Sequence, residues 1–307
     1  MSIRTCVILN PRAGRGRAAS KLEVARSKLP SDAVIVTTER RRHAIELARQ
    51  AALDGFDRVI AAGGDGTVHE VANGLLQSGR ADVVLSTWPL GSSNDYARTL
   101  GMGRWWQAWP HGGELATLHA DVGIIRAGNQ DRYFVNGAGI GFNGMVTVEA
   151  NKIAWLSGVP LYTLAFLRAM RRHFAKPLMR IQRDGVDVVS PTLAISFNLG
   201  QREGGFPVTW NAQIDDGLFE TFHAADLRRW ELLRYLPALL IGKLPTHHPQ
   251  LRMGQCHNAS VQCDKPLCVH TDGELVCLPH DAIYEVAIEL LPKRLKVEFC
   301  PLHLYET

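Results

Sequence analysis

No apolar segment of this sequence is long enough to cross a membrane. A spanning helix takes roughly 18 or more consecutive apolar residues, and none of the apolar runs reaches that length. Residues 1–5 lead straight into a predicted strand and not into a signal sequence. We therefore predict a cytoplasmic protein that spans no membrane.

Closely spaced cysteine pairs are missing as well. The six cysteines include no Cys-x-x-Cys pair, and their spacings fit none of the usual closed zinc sites. Four of them fall in a β-rich region beside His257 and His270, so a zinc site there is the alternative interpretation. We expect reduced thiols in the core at Cys6, Cys256, Cys263, Cys268, Cys277 and Cys300.

The sequence also lacks a large excess of either charge. The net charge is +4, and no stripe of Lys and Arg with interleaved aromatic residues is present, which argues against a nucleic-acid partner. A weak preference for anionic membrane surfaces is compatible with this balance. With 307 residues, 46% hydrophobic and 21% charged, the chain can form two domains with their own cores.

The most informative segment is the Gly-Gly-Asp-Gly-Thr loop at residues 63–67. It follows the apolar run at residues 59–62 and precedes a helical pattern at residues 68–76. Glycines allow close backbone approach, so N–H groups at a helix N-terminus can converge on a phosphate. A carboxylate in such a loop, Asp65, requires a divalent cation between itself and the phosphate. The alternative is a tight turn in which Asp65 caps the helix.

Strands and helices alternate over the first third of the chain. This pattern predicts a doubly wound α/β domain with a parallel sheet, whose glycine loops lie at the carboxyl ends of strands, where such sheets bind ligands. The predicted strands cover residues 5–9, 33–36, 58–62 and 83–87, and the predicted helices cover residues 18–28, 43–53, 68–77 and 94–99.

Beyond residue 121 the pattern changes to short apolar runs separated by turn residues. Such runs predict antiparallel sheets packed as a β-sandwich or barrel. Two Leu-rich helical segments interrupt them, at residues 160–174 and 226–243. The predicted strands cover residues 122–125, 133–136, 178–182, 192–198, 218–223, 259–263, 267–271, 283–290 and 295–299.

Further motifs follow one another in a characteristic order. They are Asn-Pro-Arg-Ala-Gly at residues 10–14, Pro-Leu-Gly-Ser-Ser-Asn-Asp-Tyr-Ala-Arg at 89–98, Asp-Gly-Leu at 216–218 and Asp-Gly-Glu at 272–274. With the loop at 63–67, this set resembles the diacylglycerol kinase catalytic-domain family, which also contains sphingosine kinases and bacterial lipid kinases. The form of the segment at 89–98 looks more like the bacterial branch.

The resemblance implies an ATP-dependent lipid kinase that transfers a γ-phosphate to a lipid hydroxyl, with Mg²⁺, in a cleft between two domains. The implied nucleotide-binding α/β domain covers residues 1–118 and is completed by about residues 292–307. The β-rich lipid-substrate domain then covers residues 119–291. Diacylglycerol, phosphatidylglycerol, a sphingoid base and ceramide are all conceivable acceptors, and the oligomeric state, a homodimer included, is left open.

Phosphoryl transfer needs an anion cradle, a metal ion and a proton acceptor. Asp65 would hold Mg²⁺ directly or through water, and Thr38 resembles the family's contact beside the adenosine. The residues expected to bind nucleotide are Asn10, Thr38, Gly63, Gly64, Gly66, Thr67, Ser92, Ser93 and Asn94.

Three carboxylates receive roles from the resemblance alone. Asp272 would be the general base for the lipid hydroxyl, and Glu274 would orient it or help the metal. Asp216 and the Leu218 carbonyl resemble a second, structural Mg²⁺ site, in which the position that often adds an oxygen is Gln213. By pattern alone, both Asp-Gly segments are typical of hairpin turns.

Two residues depart from the family pattern. Arg42 stands where the family often has glycine beside the nucleotide, and it either adds a cation or crowds the base. Asn143 replaces a frequent aspartate and removes one charge from the cleft.

Several basic and aromatic segments raise the question of membrane contact. The Leu-rich segments at 160–174 and 226–243 carry arginines and lysines, so they can lie in a membrane interface. The alternative is that their apolar faces cover the β domain. Trp105, Trp106 and Trp109 could likewise touch lipid headgroups or simply pack. A peripheral membrane contact is therefore an expectation of the sequence.

Three other functions compete with the lipid kinase. The Gly-Arg-Gly-Arg-Ala-Ala segment at 14–19, with Glu39 about twenty residues further on, imitates a dinucleotide fingerprint of a Rossmann oxidoreductase. That interpretation leaves the loops at 63–67, 92–95 and 272–274 unexplained. NAD kinases share the Gly-Gly-Asp-Gly-Thr element. A non-catalytic lipid or nucleotide sensor is the third alternative, which the presence of both Asp65 and Asp272 disfavours.

Overall fold

The computed structural model describes residues 3–16, 29, 31–103, 115–245 and 248–301. The chain divides into two compact units, one formed by Met1–Asp121 with Pro292–Thr307 and one by Val122–Leu291. The helix predicted at 18–28 and Trp105, Trp106 and Trp109 lie outside the described residues. Among the residues described, no helix combines the length and the apolar character needed to cross a membrane.

The first unit is built on a parallel sheet with the strand order β2-β1-β3-β4. Strands β1, β3 and β4 are largely buried, as expected when helices cover the sheet, whereas the edge strand β2 is partly exposed. Beyond β4, Val297 of the last strand, β18 (Glu285–Phe299), pairs with Leu85. The elements along the chain are β1 (Thr5–Leu9), β2 (Val34–Thr37), α1 (His43–Leu53), β3 (Arg58–Gly63), α2 (Asp65–Ser78), β4 (Val84–Pro89) and α3 (Asp95–Thr99).

The second unit contains an antiparallel sheet with the strand order β14-β13-β10-β7-β16-β17. A second layer is formed by β9, β8 and β15, with the first half of β18 beside β15. The strands are β5 (Ala116–Ala127), β6 (Gln130–Phe134), β7 (Gly137–Gly141), β8 (Leu178–Arg183), β9 (Val186–Pro191), β10 (Ala194–Asn198), β11 (Arg202–Glu203), β12 (Phe206–Pro207), β13 (Phe219–Ala224), β14 (Leu251–Cys256), β15 (Asn258–Cys263), β16 (Val269–Thr271) and β17 (Glu274–Cys277).

The two layers enclose one apolar core. Ile140, Phe197 and Val269 project from the first sheet, and Ile181 and Ile288 belong to the same buried cluster from the second. Phe134 and Phe219 stack within it, with ring centroids 5.6 Å apart. The predicted α/β domain followed by an antiparallel β-sandwich is thereby confirmed.

Among the described residues, three α-helices accompany the sandwich, namely α4 (Phe142–Asn151), α5 (Gly158–Arg172) and α6 (Arg229–Leu240). The last two confirm the predicted Leu-rich helices, although α6 is shorter at both ends than the predicted 226–243. The sequence pattern did not predict α4, because the glycine-rich start of this helix is typical of a turn. It also divided β18 into two strands at Pro292, which the structure incorporates into one continuous strand of 15 residues.

Strand β7 separates an apolar face of its sheet from a glycine face. Ala138 and Ile140 point into the core, so Gly137, Gly139 and Gly141 line the opposite face because side chains alternate along a strand. Gly139 pairs with His270 of β16 on one side and with Ser196 of β10 on the other. The missing side chains leave room on this face for polar groups from neighbouring elements.

Candidate active site

The loops after the four parallel strands of the first unit are joined by backbone hydrogen bonds. The Asn10 N–H donates to the Ala62 carbonyl at 2.9 Å, and the Thr38 N–H donates to the Leu9 carbonyl at 2.8 Å. The Leu90 N–H donates to the Gly63 carbonyl at 2.8 Å. We call the loops at residues 10–14, 63–67 and 90–94 the glycine corner. The structure thus brings the nucleotide-binding candidates of the sequence to one edge of the sheet.

The glycines of this corner are required by close backbone contacts. A Cβ on Gly91 would lie 2.4 Å from the Gly64 Cα, and a Cβ on Gly63 would lie 2.2 Å from the Thr67 Oγ1. Gly14 has φ +57, and a Cβ there would lie 2.5 Å from the Leu90 carbonyl oxygen. Real Cβ atoms do not approach so closely, so only glycine allows the loops to pack at these distances.

Helix α2 begins inside this corner. Gly64 is its N-cap, in an extended conformation with no side-chain cap, and Asp65 is its first residue. The N–H groups of Thr67 and Val68 donate to the Gly64 carbonyl at 2.9 and 3.1 Å. The sequence pattern predicts that α2 begins at residue 68. The earlier start puts Asp65 and Gly66 in the first turn, where the helix dipole is positive.

The polar side chains of the corner hold the loops together. The Asn10 Nδ2 donates to Thr67 Oγ1 at 3.1 Å. Asn94, in the left-handed region with φ 53, accepts from the Gly91 N–H and donates to the Gly91 carbonyl at 3.0 and 3.1 Å. Ser92 is exposed and Ser93 half-buried. Asn10 and Asn94 therefore have a structural role here, independent of any ligand.

Asp65 faces the start of helix α3. Its Oδ1 accepts a hydrogen bond from the Tyr96 N–H at 3.3 Å, so it caps the neighbouring helix α3. Asp95, the first residue of α3, is buried with 4% of its surface exposed. Sequence reasoning did not single out Asp95, although the Asn-Asp pair in the segment at 89–98 was the available signal. Asp65 in the corner and Asp95 directly after it are thus the first residues of two successive helices.

Arg42 lies at the N-cap of helix α1, with φ 63. The Glu70 carboxylate of α2 accepts hydrogen bonds from the N–H groups of Arg42 and Ala44 at 3.0 and 3.1 Å. The side chain of Arg42 is exposed. The departure from glycine at position 42 is accommodated because Glu70 fixes the backbone of that turn.

In the second unit, Asp272 and Gly273 form the two-residue turn between β16 and β17, with φ 50 and 83. Positive φ at both positions is the hairpin geometry that Asp-Gly favours. The Asp272 Oδ1 accepts from the N–H groups of Asn136 and Gly137, both at 2.9 Å, and its Oδ2 accepts from the Val135 N–H at 3.0 Å. Glu274 follows at the start of β17 and is half-buried.

A second Asp-Gly turn in the same unit has nearly the same construction. Asp184 and Gly185, between β8 and β9, have φ 45 and 85. The Asp184 carboxylate accepts from the N–H groups of His257 and Asn258 at 2.9 to 3.1 Å. Burial raises the pKa of Asp184, but the hydrogen bonds from Asn258 and His257 outweigh it and lower the pKa below its usual value. The hydrogen-bonding pattern of Asp272 is therefore compatible with a purely structural role.

A buried polar pair adjoins the Asp272 turn. The His270 Nε2 lies 3.0 Å from Glu203 Oε1, which also accepts from the Asn143 Nδ2 at 3.2 Å. A Cβ on Gly139 would lie 2.3 Å from the His270 Nε2, so the glycine face of β7 makes room for the pair. Nδ1 of His270 and Oε2 of Glu203 have no hydrogen-bond partner among the described residues. Sequence reasoning missed Glu203 and considered His270 only for zinc.

The Asp-Gly-Leu segment forms a turn before β13. The Asp216 Oδ1 accepts from the Leu218 N–H at 3.0 Å, Gly217 has φ 77, and both Gln213 and Asp216 are exposed. Within the described ranges, no three His, Cys, Asp or Glu side chains form a group that could hold a metal ion. At the Mg²⁺ site expected here, the protein ligands would be the Asp216 carboxylate and the Leu218 carbonyl.

The cysteines lie in the cores of the two units. All six are present as thiols, and five are buried, while Cys263 is half-exposed. Burial raises the pKa of Cys256 and of Cys268 to about 12 and that of Cys6 to about 11. Such thiols stay protonated and unreactive at neutral pH.

Comparison with known proteins gives matches over both units. Residues 4–123 match the model of the diacylglycerol kinase catalytic domain, and residues 137–299 match that of the YegS C-terminal NAD kinase beta sandwich-like domain. A "Diacylglycerol kinase" of Mycobacterium tuberculosis is 27% identical over 89% of each chain. A protein of Chromohalobacter salexigens named "Probable lipid kinase YegS-like" is 34% identical over 75% of this chain and 73% of its own.

Solved structures show the same fold. The crystal structure of a diacylglycerol kinase from Bacillus anthracis superposes with a TM-score of 0.69 at 21% identity, over 98% of both chains. The two domain matches, in the same order and with the glycine corner in the first, agree with the resemblance of the motifs. This chain belongs to the diacylglycerol kinase catalytic-domain family, a family of lipid kinases.

Proposed function

We propose that this chain transfers the γ-phosphate of ATP to a hydroxyl group of a diacylglycerol-like lipid, with Mg²⁺. The observation that carries the proposal is the glycine corner, in which three glycine-containing loops pack closely at the carboxyl ends of parallel strands. Open α/β sheets bind nucleotides at this edge. Helix α2 is 14 residues long, and the positive end of its dipole, at its N-terminus, would attract the phosphates.

Asp65 is the candidate Mg²⁺ ligand. Mg²⁺ keeps several waters and takes one or two carboxylates together with substrate phosphates, so it needs no complete cage of protein ligands. The half-buried Asp65 in the first turn of α2 fits this donor set. When bound, the ion would neutralise charge that develops on the transferred phosphoryl group.

Asp272 is the candidate general base. The lipid hydroxyl oxygen would attack the γ-phosphorus, the bond to ADP would break, and the hydroxyl proton would pass to the Asp272 carboxylate. Three backbone N–H groups hold this carboxylate in place, which would fix its direction toward an acceptor. Glu274, two residues further on, would orient the base or help the metal.

A structural Mg²⁺ site at Asp216 and the Leu218 carbonyl is a separate part of the proposal. The carboxylate already accepts the Leu218 N–H, and Gln213 is the neighbouring oxygen donor suggested by the sequence. We expect binding at this site to be weak. Thermal unfolding with and without Mg²⁺, in wild type and Asp216→Asn, checks it: a shift in Tm of the wild type alone would support the site.

The experiment that tests the function is transfer of labelled γ-phosphate from Mg·ATP into a panel of lipids in mixed micelles. The panel contains diacylglycerol, phosphatidylglycerol, a sphingoid base and ceramide, with NAD as a non-lipid acceptor. We expect one lipid to be labelled and Asp65→Asn and Asp272→Asn to lose at least about a hundredfold in kcat, because general-base catalysis alone contributes that much.

Asp184→Asn is the matched control for Asp272→Asn. Both substitutions change an aspartate that closes an Asp-Gly turn and accepts backbone N–H groups. If Asp272 acts only through the fold, the two variants lose similar stability and similar activity. If it is the base, only Asp272→Asn loses activity beyond its loss of Tm.

Other outcomes would select the competing functions. Labelling of NAD in place of lipid would favour an NAD kinase, which the description of the second domain makes a specific alternative. Nucleotide binding without transfer to any acceptor would favour a sensor. Either result would overturn the proposal.

A further inference from the structure

Helix α6 carries two apolar stripes. The inner stripe consists of Leu232, Tyr235, Leu236 and Leu239, which pack against the cluster that contains Phe166 and Met170. This stripe explains why the helix lies on the sandwich. None of the residues of α6 is fully buried, however, so much of the helix faces away from the protein.

The outer stripe is exposed to solvent. It consists of Trp230, Leu233, Pro237, Leu240 and Ile241. Trp230 is 54%, Leu233 46% and Ile241 65% exposed. At 3.6 residues per turn these five positions fall within an arc of about 100°. An apolar face of this kind on a helix surface marks a site of contact with another phase or protein.

Positive charge surrounds the outer stripe. Between residues 228 and 243 the chain has four cations, Arg228, Arg229, Arg234 and Lys243, and a single acid, Glu231. All four cationic residues are exposed. Glu231 accepts a hydrogen bond from the Arg228 N–H at 2.7 Å. On the helical wheel, Arg229 and Arg234 border the stripe on its two sides.

The size and composition of the stripe favour a bilayer over a second protein chain. A row of five half-exposed side chains on a helix about 18 Å long offers on the order of 400 Å², whereas each partner of a stable protein interface contributes about 800 Å². Tryptophan is enriched at the level of lipid headgroups. Basic residues beside an apolar face are attracted to anionic lipids.

We propose that the outer stripe of α6 docks this protein onto a bilayer that contains anionic lipid. The inference rests on the proposed function, because a lipid acceptor is dissolved in a bilayer and the enzyme has to reach it there. In this position Trp230, Leu233 and Ile241 enter the headgroup region and Arg229 and Arg234 contact lipid phosphates. The helix lies flat on the surface and does not span it.

Direct contacts connect α6 to the region of Asp272 within the second unit. Gly242, just after the helix, has φ +67 and lies so close to Pro207 of β12 that a Cβ would be 2.8 Å from its ring. Strand β12 pairs with β11, which carries Glu203. Glu203 contacts His270, two residues before Asp272. The docking helix α6 and the candidate general base Asp272 therefore belong to one packed region.

Vesicle co-sedimentation of the full chain tests the inference without depending on turnover. Vesicles of phosphatidylcholine mixed with phosphatidylglycerol are compared with vesicles of phosphatidylcholine alone. We expect binding to the anionic vesicles, a loss of at least about tenfold in affinity for Trp230→Ala/Leu233→Ser, and about fivefold for Arg234→Gln. Leu240→Ser/Ile241→Ser is a second apolar variant in case the first one folds poorly.

Two matched controls distinguish this face from other exposed surfaces. Val186→Ser/Val189→Ser removes two equally exposed apolar side chains from β9, 65% and 56% exposed. Arg49→Gln removes an exposed arginine from α1. Neither control should change vesicle binding. Far-UV circular dichroism and Tm confirm that each variant is folded.

Three results would overturn the inference. The wild type does not bind anionic vesicles, or the α6 variants bind as tightly as the wild type, or sedimentation equilibrium shows a dimer that Trp230→Ala/Leu233→Ser dissociates. These results can be distinguished from a failure of the proposed kinase function, because vesicle binding is measured without ATP. A protein that binds vesicles through α6 but phosphorylates no lipid would retain the docking surface and lose the kinase proposal.

Discussion

Several residues that the motifs mark as catalytic or nucleotide-binding candidates also make hydrogen bonds that stabilise the fold. Asp272 and Asp184 close similar turns and accept backbone N–H groups, although only Asp272 belongs to the Asp-Gly-Glu motif. Asn94 and Asn10 likewise hold loops of the glycine corner. Paired variants therefore separate the structural role of each of these residues from a catalytic one.

Gly91→Ala tests whether the glycine corner binds nucleotide. The new Cβ would lie 2.4 Å from the Gly64 Cα, so the two loops must separate, at a cost of about 1–3 kcal/mol in folding stability. We expect ATP affinity, measured by calorimetry, to fall at least about tenfold. Gly79→Ala lies at the C-cap of α2, with open space around it but with φ +74, so it should cost about 1 kcal/mol through its left-handed backbone and leave ATP binding unchanged. Equal ATP affinity in both variants would contradict this assignment.

Cys263 should be the first thiol to react with an alkylating reagent in the native state. It is half-exposed, whereas the other five cysteines are buried, and burial keeps the pKa values of Cys256, Cys268 and Cys277 at about 11 to 12. Mass spectrometry after a short exposure to iodoacetamide identifies the modified site. Early modification of a buried cysteine would mean that the segment around it opens in the native state.

At the scale of elements, the ends of helices and hairpins are fixed by groups from distant segments. Helix α1 has no side-chain cap of its own at Arg42. Glu70, from α2, accepts the N–H groups of Arg42 and Ala44. A carboxylate near a helix N-terminus is stabilising both as a hydrogen-bond acceptor and through the helix dipole.

Glu70→Gln should therefore lower stability by about 1–2 kcal/mol. The amide has one acceptor oxygen in place of the two that bind the α1 backbone. Glu46→Gln is the control, because Glu46 lies in α1, the helix that Glu70 caps, and forms an exposed ion pair with Arg40, worth less than about 1 kcal/mol. Urea denaturation measures both. A smaller loss for Glu70→Gln than for Glu46→Gln would refute the cap.

At the scale of the whole molecule, stability should depend on pH through a buried histidine. His223 is 1% exposed, and its Nε2 lies 3.0 Å from Thr192 Oγ1. Burial, followed by the nearby charges of Arg183 and Arg252, lowers the pKa of His223 to about 4. The unfolded chain has the ordinary value of about 6.5, so between these two values only the unfolded state binds the proton.

The stability that the fold has while His223 is neutral in both states is fully present above about pH 6.5. It is lost as the pH falls toward 4, because the unfolded state then gains a proton that the folded state does not bind. The loss amounts to roughly 3 kcal/mol for a shift of this size. Denaturant unfolding at a series of pH values should show this decline, and His223→Gln should make the curve flatter over the same window. An unchanged slope in the variant would show that other groups dominate acid unfolding.

The fold and the family could be predicted from the sequence because both depend on local patterns. Alternating strands and helices predicted the parallel sheet, and short apolar runs predicted the sandwich. Strand β1 and helix α1 occur at the predicted residues. The ordered glycine and aspartate motifs indicated the diacylglycerol kinase family, and the domain matches confirmed it. The roles of Asp65, Asp272, Glu274 and Asp216 stay predictions.

The tertiary structure decided what depends on contacts between distant segments. Glu203 comes to His270 from 67 residues away, and Glu70 reaches α1 from 28 residues away. No local pattern contains such distances, because they are set by strand register and helix packing. The outer stripe of α6 is a similar case. Its residues are apolar in the sequence, but only the packing of the inner stripe determines which apolar face is left exposed.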